Sequence, residues 1–116
     1  MVENINSLIQ SFILSTIAHH DATLNGDWRG ANKSARKRHK IFLQIVEAGD
    51  TAREALLAQT KNDNIHIALI AAVYSLKYNP EQSLETLHWL ADKPGLLGFE
   101  AEQAIKRWEE GSWRLE

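Results

Sequence analysis

The chain has 116 residues, 44% of them hydrophobic, and 13 Lys/Arg against 15 Asp/Glu give a formal net charge of −2. It contains no cysteine, which excludes disulfides, thiolate metal sites and cysteine nucleophiles, and fits a reducing compartment. The near-neutral balance argues against a dedicated nucleic-acid binder but leaves room for a local basic patch.

The length suits one domain over residues 1–116, large enough to bury a core without metals. The opening Met1-Val2-Glu3-Asn4-Ile5-Asn6 has neither the basic region nor the apolar run of a secretory signal, so a cytoplasmic protein is expected. Helix one is expected over about Asn4–Ala22, where Ile5, Leu8, Ile9, Phe12, Ile13, Thr16 and Ile17 recur at steps of three and four. Asn25-Gly26 ends it, because glycine readily takes the left-handed conformation beyond a helix C-terminus, and Asp27 follows as an N-cap. Helix two is expected over about Trp28–Ala48, with Trp28, Ala31, Ala35, Phe42, Ile45 and Val46 facing inward and Gly49 stopping it. Asp50-Thr51 caps a short helix three, which runs to about Gln59, and the polar run Thr60–Asn64 is a turn.

The stretch from Asn64 to Leu76 is the organising segment of the chain. It has no Gly, Pro or charge, and its apolar residues cover nearly the whole helical circumference. A helix of that kind requires neighbours on several sides, and it is too short for a bilayer span of about 20 residues. Asn79-Pro80 breaks this helix four, and Pro80 suits the first position of the next. Helix five, about Pro80–Ala91, points Leu84, Leu87, Leu90 and Ala91 inward. Helix six, about Leu96–Glu109, does so with Leu97, Ala101, Ala104, Ile105 and Trp108, and Gly111 ends it. Trp89 is also expected inside. The reading is all-α, about six helices in a compact HEAT-like stack, with three pairing with four and five with six as antiparallel pairs.

Two charged surfaces are candidates for binding. On helix two, Arg29, Lys33, Arg36, Lys37 and Lys40 fall on the side opposite the core stripe, a pattern suited to an acidic partner or a phosphate backbone. The acidic C-terminal surface offers Glu100, Glu102, Glu109 and Glu110 beside Trp113, a residue type favoured as an interface anchor. Catalytic candidates are poor. His19 and His20 diverge by about 100° on a helix instead of sharing a face as metal ligands do, and a helix-end role near the C-terminal dipole suits them better. His39, His66 and His88 stand alone in sequence, and no nucleophile elbow, P-loop or dinucleotide fingerprint occurs. No catalytic residue, metal or cofactor is expected, and the chain reads as a non-enzyme.

The run Ile67-Ala68-Leu69-Ile70-Ala71-Ala72, with Leu76 and Asn79-Pro80-Glu81, resembles the V-R-x-x-A-A…L…P-E run of HEAT-like repeats. Together with Gly26-Asp27, Asn32 and the closing Trp108…Gly111, roughly residues 8 to 113 resemble the bacterial domain-of-unknown-function family numbered two thousand and nineteen. Ala68 stands where the repeat usually has Arg, so any task of that arginine is missing here. The resemblance implies a helical stack that presents faces to partners, as solenoid repeats do. The expected function is a protein–protein interaction module, most concretely an immunity protein that binds and occludes a toxin enzyme domain through Glu100, Glu102, Glu109, Glu110 and Trp113. The alternative is nucleic-acid binding through the basic side of helix two. Neither requires a membrane.

Overall fold

A computed structural model of the chain describes residues 4–111. It is all-α, with six helices: α1 (Ile5–Leu24), α2 (Trp28–Ala48), α3 (Asp50–Ala58), α4 (Ile65–Ser75), α5 (Pro80–Ala91) and α6 (Gly95–Glu109). A 3-10 turn, Gln59–Lys61, lies between α3 and α4. The chain divides into two compact units, Met1–Leu56 and Leu57–Glu116.

In the first unit α1 and α2 pack along each other as a helical hairpin. Asn4 caps α1, its side chain accepting from the Ser7 N–H at 3.3 Å, and the chain reverses through Gly26 at φ +71°, where a side chain would be strained. Asp27 then caps α2 by accepting from the Gly30 N–H at 3.0 Å, the role its position predicts. Leu8, Ile9, Phe12 and Thr16 form the buried stripe of α1. Thr16 is admitted because its hydroxyl donates to the Phe12 carbonyl at 3.0 Å. On α2 the buried residues are Ala31, Arg38, Ile41, Phe42 and Ile45. Trp28, expected on this stripe, is instead 66% exposed. At about 100° per residue it falls near the edge of the stripe, whereas Arg38 lies at the centre. Asp50 is the first residue of α3 and pairs with the Arg53 guanidinium, which also donates to the Val46 carbonyl at 2.8 Å and so ties α3 back to the end of α2.

The second unit is built on α4. Asn64 caps it by accepting from the N–H groups of His66 and Ile67 at 3.0 and 3.4 Å. Leu69, Ala72 and Leu76 form one core with Leu87 and Leu90 of α5 and Leu97, Ala101, Ala104 and Ile105 of α6, with Val73, Leu84 and Trp108 against it. Ile67, Ala68, Ala71 and Tyr74, on other sides of α4, are buried as well. The enclosure expected of a helix apolar all round is therefore present. The helix ends at Ser75, earlier than expected, because the N–H groups of Tyr78 and Asn79 both turn back to the Ser75 carbonyl, at 3.1 and 2.8 Å. Pro80 disfavours helical backbone at the residue before it, and Asn79 is extended in φ at −142°.

The pairing of α5 with α6 is as expected, and α4 packs on α5, on α6 and on the 3-10 turn. The expected pair of helices three and four is an element of neither unit, because the boundary between the units falls inside α3. Trp89, expected inside, is 54% exposed, since its neighbour Leu90 takes the core position and one residue turns the helix by about 100°. The Lys93 ammonium lies 4.3 Å from the centre of its ring.

Two substitutions in this unit have opposite expected signs. A Cβ at Gly98 would collide with the Lys93 backbone carbonyl, which cannot swing aside, so Gly98→Ala is expected to destabilise by about 1–3 kcal/mol. Ser83 is fully buried and its hydroxyl finds no hydrogen-bond partner among the described residues, so Ser83→Ala is expected to stabilise by about 1 kcal/mol. Urea denaturation of both variants, read as a shift in midpoint at constant slope, checks the pair.

Candidate interaction faces

Side-chain direction on α2 follows from helical geometry. Arg29, Lys33, Arg36 and Lys40 recur at steps of three and four and share one side of the helix, with Lys37 beside them. All five are exposed, and among the described residues none of them is joined to a carboxylate. They include three like-charge pairs at i,i+4, each costing an isolated helix about 0.2–0.5 kcal/mol. At the N-terminal end of the row Trp28 is exposed, and the Arg29 guanidinium lies 5.5 Å from the centre of its ring. An aromatic face thus stands at one end of the row, a feature that periodicity concealed by placing Trp28 in the core.

The sixth cation of this segment, Arg38, is buried, only 7% exposed. The helical wheel leaves Arg38 out of the exposed row, but the sequence reading gives it no place in the core. The signal was available, because residue 38 lies on the same side of the helix as Ala31 and Ile45. Arg38 acts on α1: burial in the first place, and then the charge of Arg38 and that of His20, hold His19 below the ordinary imidazole pKa. The expected stabilisation of a His19 cation by the helix C-terminus is outweighed. The helix runs on to Leu24, so the histidine stands more than a turn from its end.

The acidic candidates do not converge. Glu100, Glu102, Glu109 and Glu110 are all exposed. Glu102 and Glu109, seven residues apart, share one side of α6, while Glu100 points to another side with Phe99, Gln103 and Arg107. Glu110 is the C-cap, and Lys106 and Arg107 interrupt the series. Trp113 lies outside the described residues. Glu100 and Arg107 instead border a groove of about 220 Å³ between α4 and α6, floored by Leu69, Ile70, Val73, Phe99 and Ala104. A more polar cleft of about 590 Å³ lies beside the start of α5, lined by Lys61, Tyr78, Glu81 and Glu85 among others. Among the described residues no three of His, Asp or Glu are placed to hold a metal ion, and no helix is long and apolar enough to cross a membrane.

A His19 with a lowered folded-state pKa binds its proton more tightly in the unfolded chain. The share of stability that rests on neutral His19 is fully present above the unfolded value near 6.5, and is lost as the pH falls below that value toward the folded pKa. Urea midpoints measured across this range are expected to fall on acidification, and His19→Gln is expected to flatten the slope. No family model, no curated protein and no solved structure matches the chain, so the assignment of these faces rests on their geometry.

Proposed function

We propose that the chain is a non-catalytic interaction module and that the exposed basic face of α2 is where it meets an acidic protein partner. One observation carries the reading. Five cations, Arg29, Lys33, Arg36, Lys37 and Lys40, are gathered on one side of one helix without neutralising carboxylates among the described residues. Their mutual repulsion costs stability in the free protein and is relieved by an anionic surface laid against them. The divided acids of α6 offer no comparable field.

The concrete form of the proposal is an immunity protein. The α2 face would lie across the entrance of a toxin enzyme domain, block its substrate by occlusion, and use its charge to speed encounter. A nucleic-acid partner is the second reading, favoured by the exposed Trp28 at the end of the row with Arg29 over its ring. A basic groove with an aromatic stacking platform is the general chemistry of single-strand binding.

The test is charge reversal. Lys33→Glu, Arg36→Glu and Lys40→Glu combined are expected to abolish capture of the partner by the tagged full chain, while Glu102→Lys with Glu109→Lys leaves capture unchanged. The reverse result would move the contact to α6. Binding to single- or double-stranded DNA at low salt that weakens steeply as salt rises, and is lost in the triple variant, would replace the protein partner with nucleic acid.

A further inference from the structure

The outer side of α2 has a spacing and an order as well as a charge. Arg29, Lys33, Arg36, Lys40, Leu43 and Glu47 follow one another at steps of four, three, four, three and four residues, and all of them are exposed. Alternating steps of three and four hold side chains on one line of a helix, which drifts by only about 20° per seven residues. At 1.5 Å per residue the line runs for about 27 Å. Its content is directional: four cations, then Leu43 at 41% exposure, then a carboxylate. Lys37 and His39 flank it on either side between Arg36 and Lys40.

We propose that the partner segment seated on this line is a single helix with the complementary face: four carboxylates, an apolar residue and a cation at the same alternating steps. The inference rests on the reading that α2 meets an acidic protein, and adds the form of that contact. A helix crossing α2 at about 20° is the element that stays beside a three-four line over its whole length. A strand repeats its side chains on one face every two residues, so its fourth carboxylate falls about 20 Å from its first. Lys40 lies only about 16.5 Å beyond Arg29 along the axis, and a helix keeps all four pairs in step. A phosphate chain is anionic at every residue, offers nothing to Leu43 and is repelled by Glu47. A second copy of α2 does not fit either: laid antiparallel it sets Arg36 against Lys40 at the centre, and laid parallel it sets like on like throughout. Both flanks of a two-helix contact stay open, so the ammonium and guanidinium heads keep water while their stems lie along the partner. The four pairs thereby escape the full desolvation penalty of buried ions.

The test is binding of synthetic peptides to the full chain at low salt, read by fluorescence anisotropy. Each peptide has about 20 residues, enough to span the line, and is stapled into a helix on its outer side. One carries four Glu, then Leu and Lys, at the alternating steps; a second carries the same series in reverse chain order. A control of identical composition scatters its Glu residues round the helix. One of the two ordered peptides is expected to bind roughly tenfold more tightly than the control, the combined effect of four exposed pairs held in register. Glu47→Lys is expected to weaken that peptide, whose Lys then faces a cation, although the variant makes α2 more basic. Binding governed by net charge alone would strengthen instead. Equal binding of ordered and scattered peptides, or tighter binding by the Glu47→Lys chain, overturns the helical pattern. If that binding is still lost when Lys33→Glu, Arg36→Glu and Lys40→Glu are combined, the acidic-partner reading of α2 stands without it. Binding of neither ordered peptide also overturns the pattern, and single-stranded DNA bound in their place overturns both readings in favour of nucleic acid.

Discussion

The second unit depends on enclosing a helix that is apolar on nearly every side. From Ile65 to Ser75 α4 carries no charged residue, and a large aliphatic side chain left in water instead of buried forfeits about 1.5–3 kcal/mol. The helix is stable only where other elements reach it from several directions. Its small residues, Ala68, Ala71 and Ala72, all buried, let neighbouring backbone come near where leucines would hold it off. The same demand for close approach recurs at Gly98, where α6 passes so near the Lys93 carbonyl that no Cβ fits. Asn64 at one end of α4 and the Ser75–Asn79 turn at the other satisfy backbone groups that an all-apolar segment cannot serve with its own side chains.

Unit one solves a different problem with the same helical hairpin geometry. Its two long helices divide their charge very unequally: α1 has a single charged residue and α2 has six cations within twelve positions. The outward surfaces that result are unlike in kind, aliphatic on α1 and cationic on α2. An aliphatic strip holds a partner by excluding water and has little reach, whereas a row of cations acts across about a Debye length of 8–10 Å and is weakened by salt. Buried Arg38 is the point at which the polar chemistry of α2 enters the hairpin, and the neutral form of His19 is favoured partly by its charge.

The helices and their ends were legible in the residues because they rest on local chemistry. Gly26 and Asp27 separate α1 from α2 by backbone freedom and side-chain capping, and Pro80 starts α5 by its fixed φ; neither depends on distant contacts. Every α2 cation assigned to the exposed face by a 100° wheel is exposed in the fold, since one helix fixes the relative directions of its own side chains. The amphipathic stripe of α1 was read from the inside only. Its periodicity identified Leu8, Ile9, Phe12 and Thr16 correctly but also counted Ile17, which is exposed in the fold because it lies some 140° round the helix from Phe12.

Which of two apolar sides is covered, and how near a helix must come to its neighbour, are decided by packing between segments far apart in the chain. That is why Trp28 and Trp89, hydrophobic residues at the edge of a core stripe, were placed inside by pattern and stand outside in the structure. It is also why Arg38 is buried in a segment whose other cations are exposed, and why α4 packs on both α5 and α6. Local propensity, capping and one-helix geometry are properties of neighbouring residues, and the sequence by itself determined six helices, the caps and breakers that separate them and the basic row. Burial is a property of the assembled neighbours, and only the tertiary structure could decide it.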